Sequence, residues 1–352
     1  MTIVTRWIGL AAVVAALHAR AADPWQHVTK PLLPNDEIQM IKNGTDKGVV
    51  WIGTSGGLSR IEGGVIRLLK ESKDLKVWDV TKRPEGGMWI GHGGGALLVD
   101  SNRTVRALNG YSVPSIQAVG SKLWAIAKDE SKDRNIVMEA NGEEWAPVPS
   151  LKDRRVLDLV QDSKGAFWLV LDGDGVIEID PKQGMKDFPQ FLSRMNVTSI
   201  LTDSQGRTWC GLMSGGVMVR EKNQWKRQLD RENKEVLSLI EDGAGKIWAA
   251  TSGNGVWVFD GTNWKGMLQS EGAINVIKMT SDKRVWVCGQ KSGGLQYWNG
   301  AEWKASLETP CALRCLVELP GGVLMAGSVL DGVYVLGDYS IKGESSDGKD
   351  KN

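Results

Sequence analysis

From Ile38 onward, apolar and polar residues alternate with a period of two in short stretches, and each stretch stops at Gly, Asp, Asn or Ser. Alternation of that kind places apolar side chains on one face of an extended strand, and the stopping residues are those that accept tight turns. One unit shows the whole grammar: Val197-Thr-Ser-Ile200, Asp203-Ser-Gln-Gly206, Thr208-Trp-Cys-Gly211, Gly215-Gly-Val-Met-Val219, then Trp225. It predicts four short strands. No stretch of ten or more residues beyond the N-terminus carries helical spacing.

The unit recurs. A Trp returns as Trp51, Trp89, Trp124, Trp168, Trp209, Trp248 and Trp286, with Leu324 in the eighth place, at steps of 38, 35, 44, 41, 39, 38 and 38 residues. Four strands per unit, eight times over, predict an all-β fold: an eight-bladed β-propeller of four-stranded antiparallel blades. The blades fall near 38–72, 76–110, 115–149, 155–191, 196–229, 235–269, 273–307 and 311–338 plus 25–32. One Trp at the same strand position in each unit reads as packing between blades, since the side chain buries roughly 150–250 Å². Two positions later stand Gly53, Gly91, Gly211, Ala250, Cys288 and Ala326, small enough for a neighbouring blade to approach. A second class of Trp, at Trp145, Trp225, Trp264 and Trp303, opens the fourth strand; Trp25 has that role with no complete unit before it. The last unit lacks a fourth strand, so the N-terminal strand at Trp25 is expected to complete it and close the ring, leaving no open sheet edge.

The repeat fills the chain without a linker and implies one domain, 22–338, between two other segments. Residues 1–21 read as a signal peptide: Arg6, an apolar run from Trp7 to Leu17, then Ala19-Arg20-Ala21 at the spacing a signal peptidase needs. The apolar run is short for a bilayer span, so the expected product is soluble, periplasmic or secreted after cleavage near Ala21, with no membrane span, and a monomer. Residues 339–352, rich in Ser, Gly, Asp and Lys, read as a disordered tail. The formal charge of +1 falls to −1 once Arg6 and Arg20 leave, which gives no footprint for nucleic acid.

The repeat "Val-x-x-Ile, Asp-x-x-Gly, Trp-Ile-Gly-Thr, Gly-Gly-Leu", fullest in Trp51-Ile-Gly-Thr54 with Gly56-Gly-Leu58 and in Val197 to Val219, resembles the two-component regulator propeller family. That family supplies sensor regions of bacterial hybrid sensor kinases. The resemblance implies a propeller that senses an extracellular ligand, often a glycan. With no kinase or spanning segment in the chain, a free-standing exported propeller is the expectation.

Candidate chemistry lies where the units disagree. Turns between first and second strands are short and uniform, as at Asp162 to Gly165, Asp203 to Gly206 and Asp242 to Gly245, and their Asp residues are expected to cap backbone N–H groups. The opposite face varies: Gly91-His-Gly-Gly-Gly95, the link Asn109 to Pro114, and a charged insertion from Lys128 to Arg134. Varying loops on a repeated scaffold are the usual place for binding. The innermost strands add Asp79, Asp158 and Arg314, with Trp78 beside the first. The expected ligand set is therefore Trp78, Asp79, His92, Tyr111, Lys128, Asp158 and Arg314. Rings cover the apolar face of a sugar, and carboxylates accept from its hydroxyls.

After processing only His27 and His92 remain, so no His cluster can hold zinc, and His92 occupies the column of Thr54 and Thr251, which suits a strand-end hydrogen bonder. Asp172-Gly-Asp-Gly175 looks like part of a calcium loop but lacks the later Glu. No cofactor and no metal are expected. A ligand-binding module, an envelope protein-interaction scaffold and a polysaccharide lyase or hydrolase stand in that order. Cys210 and Cys288 read as small buried hydrophobes, while Cys311 and Cys315 are too far apart along one strand to bridge each other.

Overall fold

A computed structural model of the chain describes residues 25–46, 48–83, 85–179, 190–222, 224–230, 235–270, 272–289 and 294–343; the expected leader, 1–21, lies outside them. The described chain forms eight sheets, each with four antiparallel strands, and seven of them run in chain order from inner to outer strand. The eighth takes its outer strand, Trp25–Val28, from the N-terminal end, with Trp25 opposite Leu336 and Val28 opposite Val333. The molecule is an eight-bladed propeller closed by its first strand. Among the described residues the only helical segments are single 3₁₀ turns at Lys70–Ser72 and Pro149–Leu151.

The core is a set of layers between blades. Trp209, Val217 and Val219 of blade five, for instance, pack with Val236, Leu239 and Ile247 of blade six. Six of the seven recurring tryptophans are buried, and only Trp51 is half-buried. Pairing corrects the eighth place. In blade seven Lys278 faces Trp286, and in blade eight the equivalent inner residue, Val317, faces Met325; Leu324 faces Glu318, one step off. Met325 therefore fills the Trp column, fully buried, and the small residue two places on is Gly327 rather than Ala326. A sequence period locates a strand to within a residue, whereas register fixes the face.

Four of the five tryptophans of the second class meet a column Trp, while Trp225 meets Phe191 of blade four at 6.0 Å. Trp145 of blade three meets Trp89 of blade two edge-on at 5.3 Å, Trp264 meets Trp209 at 6.4 Å, Trp303 meets Trp248 at 6.3 Å, and Trp25 meets Trp286 at 6.4 Å. The outer strand of each of these blades thus covers the column Trp of the blade before it, in the edge-to-face geometry that aromatic quadrupoles favour. The small column works as expected: a Cβ on Gly91 would stand 2.4 Å from the Val113 carbonyl of the next blade, and one on Gly211 2.9 Å from that of Val236.

Asp residues of the first turn cap it as expected. Asp203 Oδ1 accepts the Gln205 and Arg207 N–H groups at 3.0 and 2.8 Å, and Asp162 and Asp242 repeat the pattern. Their second oxygen takes the indole N–H of the column Trp six residues later, at 3.1 Å from Trp168, 2.8 Å from Trp209 and 2.8 Å from Trp248.

Two expectations about segments change. The charged insertion of blade three is not a loop: Lys122–Asp129 and Arg134–Asn141 are eight-residue strands, so the hairpin stands above its neighbours and only 130–133 turns. The segment expected to be disordered from 339 onward is ordered as far as Gly343. Lys342–Gly343 pairs in parallel with Val65 and Ile66 of blade one, and Ile341 is buried. Residues 344–352 lie outside the described chain.

Candidate ligand-binding face

Every blade carries one extra residue in its inner strand, between the pairs Ile38/Met40, Val77/Asp79, Ser112/Ser115, Val156/Asp158, Val197/Ser199, Val236/Ser238, Ile274/Val276 and Leu313/Cys315. A bulge re-aims the side chain it carries. Here it falls at the end of the inner strand nearest the variable loops, so the bulged residues ring the mouth of the axis. They include Gln39, Trp78, Leu157, Thr198 and Arg314, equivalent in backbone and unlike in chemistry.

The expected site residues separate at this mouth. Arg314 hydrogen-bonds Gln39 of blade one. Gln39 donates to Glu37 at 2.7 Å and Ser55 at 2.9 Å, and Lys76 of blade two reaches Glu37 at 3.2 Å. The Ser55 hydroxyl, followed by Gln39 and Lys76, holds the Glu37 carboxyl below its ordinary range despite the cost of partial burial. Trp78 is half-buried, with its ring beside Gly93 of the same blade. Tyr111 is half-buried against the blade-three cluster.

Asp79 and His92 have structural duties. Asp79 Oδ1 accepts from its neighbour's N–H at Val80 and from Lys42 of blade one, both at 2.8 Å, while Oδ2 accepts the Ile116 N–H of blade three at 3.0 Å. One carboxylate ties three blades. His92 is 4% exposed, and its Nδ1 accepts the Gly94 N–H at 3.1 Å, the turn-closing task that Thr54 performs with Gly56. Burial, helped by Arg106, lowers the His92 pKa and keeps the ring neutral.

Asp158 lies on the inner strand of blade four, open to water yet ringed by the other inner strands. That enclosure, opposed by the Leu159 N–H bond and reinforced by Asp79, pushes its carboxyl up to about 6. Beside it, between blades three and four, a groove of about 360 Å³ is lined by Lys128, Arg134, Asn135, Arg155, Leu157 and Asp172 among others. Lys128 pairs with Glu130 at 3.0 Å and Asp133 at 3.6 Å, and Arg155 pairs with Asp172 at 2.9 Å. Arg134 is exposed and makes no ion pair among the described residues. Leu157, 42% exposed, was passed over in sequence because it reads as one more apolar strand residue; the bulge turns it outward.

The histidine outside the mouth and the aspartates of the calcium-like turn have partners of their own. His27 donates to the Asp331 carbonyl at 2.6 Å and stacks on Tyr334 at 4.4 Å. Asp172 and Asp174 each face an arginine, Asp174 meeting Arg154 at 3.2 Å. All four cysteines are free thiols. Cys210 and Cys288 are fully buried as expected, and burial, with Cys315 adding to it, pushes the Cys288 thiol up to about 12.

No protein-family model matches the chain, and no curated protein matches its sequence. Solved structures do. The extracellular domain of BT4673 from B. thetaiotaomicron, described both as a one-component and as a hybrid two-component system, is 14% identical, with a TM-score of 0.51 over 86% of this chain and 51% of that one. The Dos1 propeller is 11% identical with a TM-score of 0.66 over 91% and 98%, and streptogramin B lyase is 12% identical with 0.55 over 89% and 97%. The chain therefore spans about half the length of the BT4673 domain and nearly all of the other two. An extracellular domain and a lyase share this architecture, so the likeness defines the protein as a β-propeller, and function rests on the site.

Proposed function

We propose that the protein is an exported recognition module that binds a glycan carrying an acidic group at the mouth of its axis, without catalysing a reaction on it. The observation that carries this reading is the placement of Leu157, an exposed apolar side chain, in one groove with Arg134, a cation that makes no ion pair among the described residues. An apolar surface for ring C–H groups beside a cation for a carboxylate or sulfate is a small, mixed set of the kind that orients a ligand. Trp78, Tyr111, Lys128, Asp158 and Arg314 extend the surface around the mouth. Asp79 and His92 support it from behind. The apolar run from Trp7 to Leu17 and the extracellular placement given for the BT4673 domain both favour export. The engagement of His27 and His92 in packing and turns favours binding over acid–base chemistry.

A glycan array with acidic and neutral members tests it. The wild-type chain should bind acidic members, and Leu157→Asp combined with Arg134→Glu should weaken them at least tenfold at an unchanged Tm. Equal binding by the double variant overturns the reading. The scaffold alternative draws on a separate observation: Met213 and Leu330, 51% and 69% exposed, lie in second-to-third-strand turns of the same face. If the face holds a protein instead, Met213→Asp and Leu330→Asp should release it and leave glycan binding untouched.

A further inference from the structure

Trp51 breaks the covering rule. In blades three, six, seven and eight the outer-strand position opposite the residue just before the column carries Trp145, Trp264, Trp303 or Trp25, and each covers the column Trp of the preceding blade. In blade two the same register runs from Met88 to Val99 to Thr104. Thr104 is short and exposed, so among the described residues no equivalent ring lies over the column Trp of blade one. Trp51 is accordingly the half-buried member of its column.

A cavity of about 300 Å³ opens there between blades one and two, on the first-turn face, opposite the axial mouth. Trp51 contributes to its lining with Met88, Thr45, Thr81, Lys42 and Lys82. Both lysines are neutralised: Lys42 is held by Asp79 at 2.8 Å and Lys82 by Asp46 at 3.0 Å. The Thr45 and Thr81 hydroxyls and the Trp51 indole N–H make no hydrogen bond among the described residues. The cavity thus combines an aromatic surface, uncommitted donors and acceptors and, among the described residues, no unpaired charge.

We propose that this cavity is a second binding site, separate from the axial mouth, and that it takes one ring of an uncharged saccharide. The ring's C–H face lies on the indole, and its hydroxyls meet Thr45, Thr81 and the indole N–H. An acidic ligand gains nothing here, because each lysine already has its carboxylate. The volume stands at the small end of the range for ligand pockets, about 300–1,000 Å³, which suits one sugar unit.

The test uses the processed chain labelled with 5-fluorotryptophan, the Trp51 ¹⁹F resonance being assigned by Trp51→Phe. Uncharged cello-, malto-, manno- and chito-oligosaccharides are titrated beside hexuronate oligomers of matched length. At least one uncharged series should shift the Trp51 resonance in a saturable way. Thr104→Trp, which restores the cover present in other blades, should weaken that binding at least tenfold without lowering Tm. The proposal is overturned if no uncharged series moves the Trp51 resonance, if hexuronates move it more strongly, or if Thr104→Trp binds as well as the wild type. Thr104→Trp leaves Leu157 and Arg134 in place, so binding at the axial mouth stands or falls separately.

Discussion

Asp203 shows how much one residue does beyond its local turn. Its first oxygen closes the turn, and its second accepts from Trp209 at 2.8 Å and from Arg207 at 2.6 Å. Where the column holds Met325, which has no N–H, the turn position equivalent to Asp203 is Leu319, and that turn closes through backbone alone, from the Leu319 N–H to the Val323 carbonyl at 2.7 Å. The spacing of six between Asp and Trp was visible in the sequence, but its meaning needed the turn to fold the carboxylate back over the indole. Burial acts to raise the Asp203 carboxyl, and the hydrogen bonds from Trp209 and Arg207 outweigh it, so the folded pKa is lowered. A depressed folded pKa contributes stability that is present above the unfolded value of about 3.9 and is lost as pH falls through the folded one. Asp203→Asn should therefore cost about 1–3 kcal/mol near pH 7, read by denaturant titration, and that difference should shrink below about pH 4. An unchanged gap at low pH would show that the carboxylate's charge does not matter there.

At the scale of elements, the strands were legible and their exact ends were not. Alternation named the four strands of each blade and the turn residues between them, because a strand with one face against a neighbouring blade must alternate. The glycine that opens the third strand has a similar origin: Gly255 adopts φ +72°, and a Cβ there would lie 1.7 Å from the Leu268 carbonyl of the outer strand. The ordered segment after Asp338 escaped notice, since two residues of parallel pairing carry no period. Gln26 holds it on both sides, donating to the Ile341 carbonyl and accepting the Ile341 N–H, each at 2.9 Å. Ending the chain at Asp338 exposes the seat of Ile341 and breaks both bonds, and should lower unfolding free energy by about 2–3 kcal/mol. If the truncated chain unfolds at the same denaturant concentration, the segment does not support the ring.

For the whole molecule, closure is the step on which the other layers depend. Trp25–Val28 supplies the last strand of blade eight and covers Trp286, so deleting 22–32 should leave a three-stranded blade with an open edge. Size-exclusion chromatography with light scattering should then report species larger than the full chain gives; an unchanged mass would show that the eighth blade closes without that strand. By itself the sequence determined the repeat, the number of blades, the four strands in each and the route of closure, because those follow from periodicity and from which unit lacks a strand. Only the tertiary structure decided that Met325 rather than Leu324 fills the eighth column, that Asp79 ties blades together, that Leu157 turns outward, and that Trp51 lies uncovered. Each of these depends on register between strands and on what the next blade places opposite, and a contact between units about forty residues apart leaves no local pattern in the chain.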